Sequence, residues 1–330
     1  MKKAIETISK QENFTMNKIA IIGSGNVGST VAYTLTVNGL ASEIVMVDIN
    51  EAKALGEALD IRQGVSFCNP CTVHAGSYSD IKGANIVIIT SGIPRKSGQT
   101  RLELTQTNVG IMKGIIGEVT KYAAPDAVYL IVSNPVDILT YVFCKCSGIP
   151  EHRIIGSGTI LDTSRLRARL SEYFSINQSN VHAYVLGEHG DSCFIPWSLA
   201  NISNVPIAQC HDRFKSENRV IPPLDYAEIE EYVRKSGSRV IARKGATFYA
   251  VSMSVSYIVK ALLSGIDTTM TVSTMMHGEY GIDDVCLSAL AVVGNEGIRN
   301  RVILPLNDQE IKLLRNSAEV LKDTIKNIKI

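Results

Sequence analysis

One hexapeptide near the start of the chain, Gly23-Ser24-Gly25-Asn26-Val27-Gly28, restricts the fold more than any other feature. It follows a short Ile-rich run, Lys18 to Ile22, that reads as a buried strand. It opens a stretch, Val27 to Val37, with helical spacing that stops at Asn38-Gly39. Glycine-rich loops are common, but this context makes specific demands on each glycine. Gly23 permits the tight turn, Gly25 lets backbone approach a pyrophosphate, and Gly28 lets helix and strand pack closely. The helix N-terminus supplies free N–H groups and a positive dipole end for phosphates. Asp48 stands 20 residues past Gly28, at the end of the next apolar run, Glu43 to Val47. A carboxylate there accepts hydrogen bonds from adenosine ribose hydroxyls and repels a 2′-phosphate, which points to NAD rather than NADP. Gly23, Gly25, Asn26, Val27, Gly28 and Asp48 are therefore the candidate cofactor residues.

The rhythm continues downstream. Glu51 to Gly64 reads as a second helix. Ile86 to Ile89 and Val128 to Val132 are β-branched strands, with a helix from Leu104 to Lys121 between them. Such alternation marks right-handed βαβ units and a parallel sheet. Past about residue 155 it changes. A helical stretch, Asp162 to Tyr173, leads to Val181 to Leu186 and a turn, Gly187-Glu188-His189-Gly190. Long helices are expected over Tyr226 to Ser264 and Asp308 to Ile330, and a surface loop over Cys210 to Asp225. The expected organisation is an N-terminal extension (1–16), a Rossmann-type doubly wound α/β domain that binds NAD (17–155), and an α+β substrate domain (156–330).

Composition excludes several function classes. Thirty-three Lys and Arg against 32 Asp and Glu leave a net charge of +1, with no basic block, so neither nucleic acid nor a membrane surface is an expected partner. No uncharged stretch is long and apolar enough to span a bilayer, and residues 1–16 carry charges without an apolar centre. A cytoplasmic location is expected. Seven cysteines, an odd number, read as reduced thiols; Cys68-Asn69-Pro70-Cys71 and Cys144-Lys145-Cys146 lack a second ligand pair for a metal.

Three groups of charges need a reason. Asp162 and Arg165 share a helix face, a pairing that a surface ion pair also satisfies. His189 is flanked by glycines that let its ring approach a ligand. Arg95, Lys96 and Arg101 crowd a loop, Gly92 to Leu102, directly after a sheet strand, where it forms either a solvated rim or an anion-binding lid.

The runs GSGNVGS, SNPVD, GSGTILDTSRLR, GEHGDS and KGATFYA, in this order, resemble the NAD-dependent L-lactate/malate dehydrogenase family from about Lys18 to the C-terminus. Glu188 before His189, Trp197-Ser198 and Thr247 resemble the lactate branch, closest to its bacterial members. The resemblance implies reversible NADH-dependent reduction of pyruvate to L-lactate. His189 is then the proton donor and acceptor, Asp162 fixes its tautomer, and Arg165 holds the substrate carboxylate through its guanidinium fork. Arg101 closes over the substrate from its loop and polarises the carbonyl. Asn134, before a cis Asn134–Pro135 bond, touches substrate and cofactor, and Thr247 lines the side-chain pocket. No metal is needed. Arg95 departs from this pattern. The IPRKSGQTR loop resembles the malate type, in which an arginine pairs with the second carboxylate of oxaloacetate, so malate dehydrogenase is the alternative reading. Arg167 and His182 resemble the subunit-interface residues of tetrameric relatives activated by fructose 1,6-bisphosphate, which implies a homotetramer and an effector site. An NAD-using glycosidase shares the nucleotide motif but needs a Cys/His metal site that the His189 region does not offer.

Overall fold

The computed structural model describes residues 17–94, 98, 100–213 and 223–330. The expected extension (1–16), Arg95 and Lys96 lie outside the described residues. From Lys18 the chain alternates between strand and helix: β1 (Lys18–Ile22), α1 (Asn26–Val37), β2 (Glu43–Val47), α2 (Glu51–Gly64) and β3 (Thr72–Ala75), then β4 (Ile86–Ile89), α3 (Arg101–Tyr122), β5 (Val128–Ile131), α4 (Val136–Cys146) and β6 (Ile154–Gly156), of which β3, α4 and β6 had no counterpart among the expected elements. These strands pair in parallel in the order β3-β2-β1-β4-β5-β6. The order reverses between β1 and β4, and ligands of such sheets bind in the crevice at that point. Strands β4 and β5 are buried throughout, as unbroken apolar runs must be when helices cover both faces. On one face Val109 and Met112 of α3 pack with Val142 and Phe143 of α4. On the other, Val31 and Leu35 of α1 pack with Val255, Ile258 and Val259 from the second half of the chain.

The second half opens with α5 (Ile160–Phe174), followed by the short strands β7 (Val181–His182), β8 (Asn201–Ile202) and β9 (Val205–Pro206), which form a small separate sheet. Helices α6 (Ile207–Arg213), α7 (Tyr226–Lys244) and α8 (Tyr249–Leu263) come next. Strands β10 (Thr268–His277), β11 (Asp283–Gly294) and β12 (Gly297–Arg301) then precede α9 (Asp308–Lys326). Strands β10 to β12 are antiparallel and extend the first sheet past β6 to nine strands. The join is tight: a Cβ on Gly156 would come within 2.7 Å of the Ser273 Cβ.

Four expectations need correction. The helix expected over Tyr226 to Ser264 is two helices, because Gly245 takes a left-handed φ of +85° and ends α7. Strand β7 covers only Val181–His182 of the expected run; Leu186 and Gly187 instead form isolated bridges to Phe194 and Ser288. The loop expected from Cys210 begins inside α6, which runs to Arg213. The region from Gly92 to Leu102 is not all loop, since α3 starts at Arg101 on a capping box. The Thr100 hydroxyl accepts from the Glu103 N–H, and Glu103 Oε2 accepts from the Thr100 N–H at 2.9 Å. Among the described residues no helix is long and apolar enough to cross a membrane.

Candidate active site

The crevice between β1 and β4 opens into a cavity of about 890 Å³, lined by Gly23, Gly25, Asp48, Ser77, Thr90 and Ser91 among others. Each candidate glycine has a visible reason. Gly23 adopts a φ of +105°, and a Cβ there would stand 2.8 Å from the Ser91 nitrogen. A Cβ on Gly28 would overlap the Gly23 carbonyl oxygen. Gly25 differs: its φ of −72° suits any residue, and a Cβ would meet nothing within 4 Å. The space beside Gly25 is open, as close approach by a ligand requires. Asn26 and Val27 begin α1, whose first turn carries no side-chain cap and no acidic residue, so its N–H groups are available to an anion. Asp48 accepts from the Ser24 N–H at 2.5 Å and from the Asn50 N–H at 2.8 Å, which fixes its carboxylate at the cavity wall. These residues fit an adenine dinucleotide with an unsubstituted ribose.

The charges of the second half converge on one turn. Asp162, in the first turn of α5, is 5% exposed, so its pair with Arg165 is not a surface ion pair. Its Oδ2 lies 2.6 Å from His189 Nδ1, and its Oδ1 accepts from Arg165 Nη1 at 2.7 Å. Burial alone would raise the Asp162 carboxyl, but His189 and Arg165 outweigh it and hold the group below the usual carboxylate range. Burial likewise disfavours a charged His189. The carboxylates of Asp162 and Asp137 prevail over burial and over the opposing Arg165, so the imidazole titrates above its usual value. Among the described residues nothing is bonded to His189 Nε2. An imidazole held at Nδ1 by a buried carboxylate, with Nε2 available, is equipped to pass a proton to a bound oxygen.

The glycines around His189 serve packing. Gly187 takes a φ of +92°, and a Cβ there would stand 2.6 Å from the Ser317 hydroxyl of α9. A Cβ on Gly190 would press on the Glu188 carboxylate at 2.7 Å. Ser317 also accepts from the Glu188 N–H at 2.7 Å, so α9 braces the turn.

Among the described residues, no hydrogen bond joins the other candidates to His189, Asp162 or Arg165. Arg101, expected on a loop, is the first residue of α3; it is exposed and paired with Asp191 Oδ2 at 2.7 Å. Such an exposed pair is worth at most about 1 kcal/mol and exchanges readily for another anion. Asn134 is exposed, precedes a cis bond to Pro135, and its carbonyl accepts from Asn108 Nδ2 at 2.8 Å. Thr247 lies half-buried in the junction between α7 and α8. Arg167 donates to the Ala183 carbonyl at 3.1 Å and lies over the Tyr184 ring, while His182 is exposed on β7, an edge strand.

Sequence reasoning missed three supports. Asn108 tethers the Asn134 carbonyl, Ser317 braces Glu188, and Asp137 accepts from the His189 backbone N–H at 2.7 Å. Asp137 stood within the SNPVD run, but nothing local tied it to a turn 52 residues away.

The chain matches known proteins over nearly its whole length. Residues 17–156 match the model of the lactate/malate dehydrogenase NAD-binding domain, and residues 159–330 match that of the family's alpha/beta C-terminal domain. The chain belongs to the lactate/malate dehydrogenase family. Within it, an L-lactate dehydrogenase of Acetivibrio thermocellus is 45% identical over 319 residues, covering 96% of this chain and 99% of that protein. L-lactate dehydrogenase 1 of Clostridium acetobutylicum is 46% identical, covering 94% and 98%. Among solved structures, a minor L-lactate dehydrogenase from Enterococcus mundtii in the ligands-bound form superposes with a TM-score of 0.89 at 36% identity, covering 96% of this chain and 99% of that one. A lactate dehydrogenase from a Medee basin deep-sea metagenome library gives the same score at 37% identity, covering 94% and 98%.

Proposed function

We propose that the protein is an NAD-dependent L-lactate dehydrogenase that reversibly reduces pyruvate to L-lactate, with residues 17–155 holding the nucleotide and 156–330 the substrate. The observation that carries this reading is the buried Asp162 bonded at once to His189 and Arg165. The cofactor, when bound, supplies the hydride to the keto carbon. His189 Nε2 donates its proton to the carbonyl oxygen and takes it back in the reverse direction. Asp162 keeps the proton on Nδ1 and balances the imidazolium. Arg165 binds the substrate carboxylate through the part of its fork that Asp162 leaves free. Arg101 exchanges Asp191 for the substrate side of the site, polarises the carbonyl and excludes water. Asn134 hydrogen-bonds the substrate, and Thr247 bounds the methyl pocket.

Reduction needs the protonated imidazole. Because Asp162 raises the His189 pKa, kcat/KM for pyruvate holds up above the ordinary histidine range and falls as pH rises through the elevated value. The test is NADH consumption with pyruvate and with oxaloacetate. Pyruvate turnover giving the L-isomer supports the reading; a faster reaction with oxaloacetate overturns it in favour of malate dehydrogenase. Arg95 is the residue to vary in that comparison, and Arg95→Gln should shift the ratio of kcat/KM toward pyruvate by about ten-fold, because only oxaloacetate loses a charge pair.

The enzyme is further read as a cytoplasmic homotetramer that regenerates NAD in fermentative glycolysis. An exposed stripe on α8, Tyr249, Met253 and Tyr257, beside exposed Tyr33 and Val37 of α1, supports self-association. Arg167 and His182 remain the candidate site for fructose 1,6-bisphosphate. Pyruvate saturation curves with and without the bisphosphate, for the native chain and Arg167→Gln, test that assignment; unmoved curves reject it.

A further inference from the structure

Asp137 is a buried acid that the chemistry above leaves unused. It stands in the first turn of α4, three residues after Asn134, and is 2% exposed. Its Oδ2 accepts from the His189 N–H at 2.7 Å, and the Ser273 hydroxyl of β10 stands beside the carboxylate. Burial pushes its pKa up to about 6, against the opposing pull of Ser273 and His189. A backbone N–H needs only a neutral acceptor, so a buried carboxylate is an expensive choice unless its charge has a purpose. The ionisable groups that face Asp137 are His189 and Glu188 in the turn, both on one side, and Cys286 on β11. Only His189 among these becomes a cation. His189 in turn faces Asp162 and Arg165 on α5 and Asp137 on α4.

We propose that Asp137 is a positioning residue for His189: it anchors the Gly187–Gly190 turn through the backbone and supplies a second buried negative charge that stabilises the imidazolium. The inference rests on the reading of His189 as the proton donor. When the proton passes from Nε2 to the substrate oxygen, the imidazole is neutral and both carboxylates are left facing it, which favours recapture of a proton for the next turnover. The placement also links the two ends of the site. Asn134, read as touching substrate, precedes the first turn of α4 by two residues, and Asp137 in that turn touches the His189 turn, so one short stretch of chain reaches both.

The test compares wild type, Asp137→Asn and Asp137→Ala as full-length chains labelled with ¹³C at histidine Cε1, with His189→Gln to assign the resonance. In Asp137→Asn, which keeps the acceptor and removes the charge, His189 should titrate at lower pH than in wild type. The alkaline limb of kcat/KM for pyruvate should move the same way, so that the loss grows with pH and reaches about ten-fold. Asp137→Ala should lose a further several-fold in kcat at every pH, with NADH affinity held. An unmoved His189 titration in Asp137→Asn overturns the proposal while leaving the proton-donor role of His189 intact; that role falls only if His189→Gln still turns over. If neither Asp137 variant folds, the same coupling is read in reverse. The Asp137 carboxyl should titrate at higher pH in His189→Gln than in wild type, and equal titrations overturn the proposal.

Discussion

The crevice at Gly23–Gly28 and the turn at Gly187–Gly190 are the two halves of the proposed site, yet they are built from different distances. In the crevice, the loop, the first turn of α1 and Asp48 lie within 26 residues of chain, and the contact that closes the set, Ser24 N–H to Asp48, spans 24. Around His189 the supports come from everywhere else: Asp162 at 27 residues, Asp137 at 52, and Ser317, which braces Glu188, at 129. The first is fixed by local backbone demands. The second exists only once α4, α5 and α9 have packed around the turn. The lesson is that affinity for nucleotide and competence for proton transfer can be lost separately.

Arg165→Lys should give the largest effect from a single conservative change. It keeps the charge but loses the fork that bonds Asp162 and that, in the proposed reading, also holds the substrate carboxylate. We expect kcat/KM for pyruvate to fall by about 100-fold or more, consistent with the ~2–4 kcal/mol of a lost charge-assisted pair, with NADH binding within two-fold. Loss of NADH affinity would show that the two regions are coupled.

Asp48→Ala attacks the other side. It should weaken NADH about ten-fold and relax the exclusion of NADPH, because it removes both an acceptor and a repulsive charge. Turnover at saturating cofactor should be nearly kept. If the protein already prefers NADPH, the ribose assignment is wrong.

Asp137→Asn sharpens the comparison through stability. The folded pKa of Asp137 is raised from 3.8 to about 6, so ionising it in the folded chain costs roughly 3 kcal/mol. That cost is present above pH 6 and vanishes below the unfolded value. The variant should therefore be more stable than wild type at pH 8, by up to about 3 kcal/mol, and the advantage should disappear as pH falls from 6 toward 3.8. Urea midpoints at pH 4 and pH 8 measure this; a less stable variant at pH 8 would mean the carboxylate is structural.

The two regions also differ in how far they could be read from sequence. Apart from the short β3, the alternation through β5, the glycine loop and Asp48 were legible because each rests on local spacing. The family runs also pointed to His189, Asp162 and Arg165. What supports them was not legible: Asp137 and Ser317 are ordinary residues until distant helices place them. Strands β10 and β11 escaped notice for a related reason. Both are buried on two faces, so Thr268 to His277 shows no alternation to mark it as strand. The break at Gly245 did carry a signal, a glycine directly after Arg243-Lys244, which is how helices commonly end. The capping box at Thr100 to Glu103 likewise announces the true start of α3.

The separation of the two regions is tested most directly in His189→Ala, by measuring NADH binding through fluorescence and pyruvate turnover on the same preparation. The account predicts NADH affinity within two-fold of wild type and kcat reduced by 100-fold or more, the scale of a lost general acid. Turnover within ten-fold of wild type, or loss of NADH binding along with activity, would contradict it.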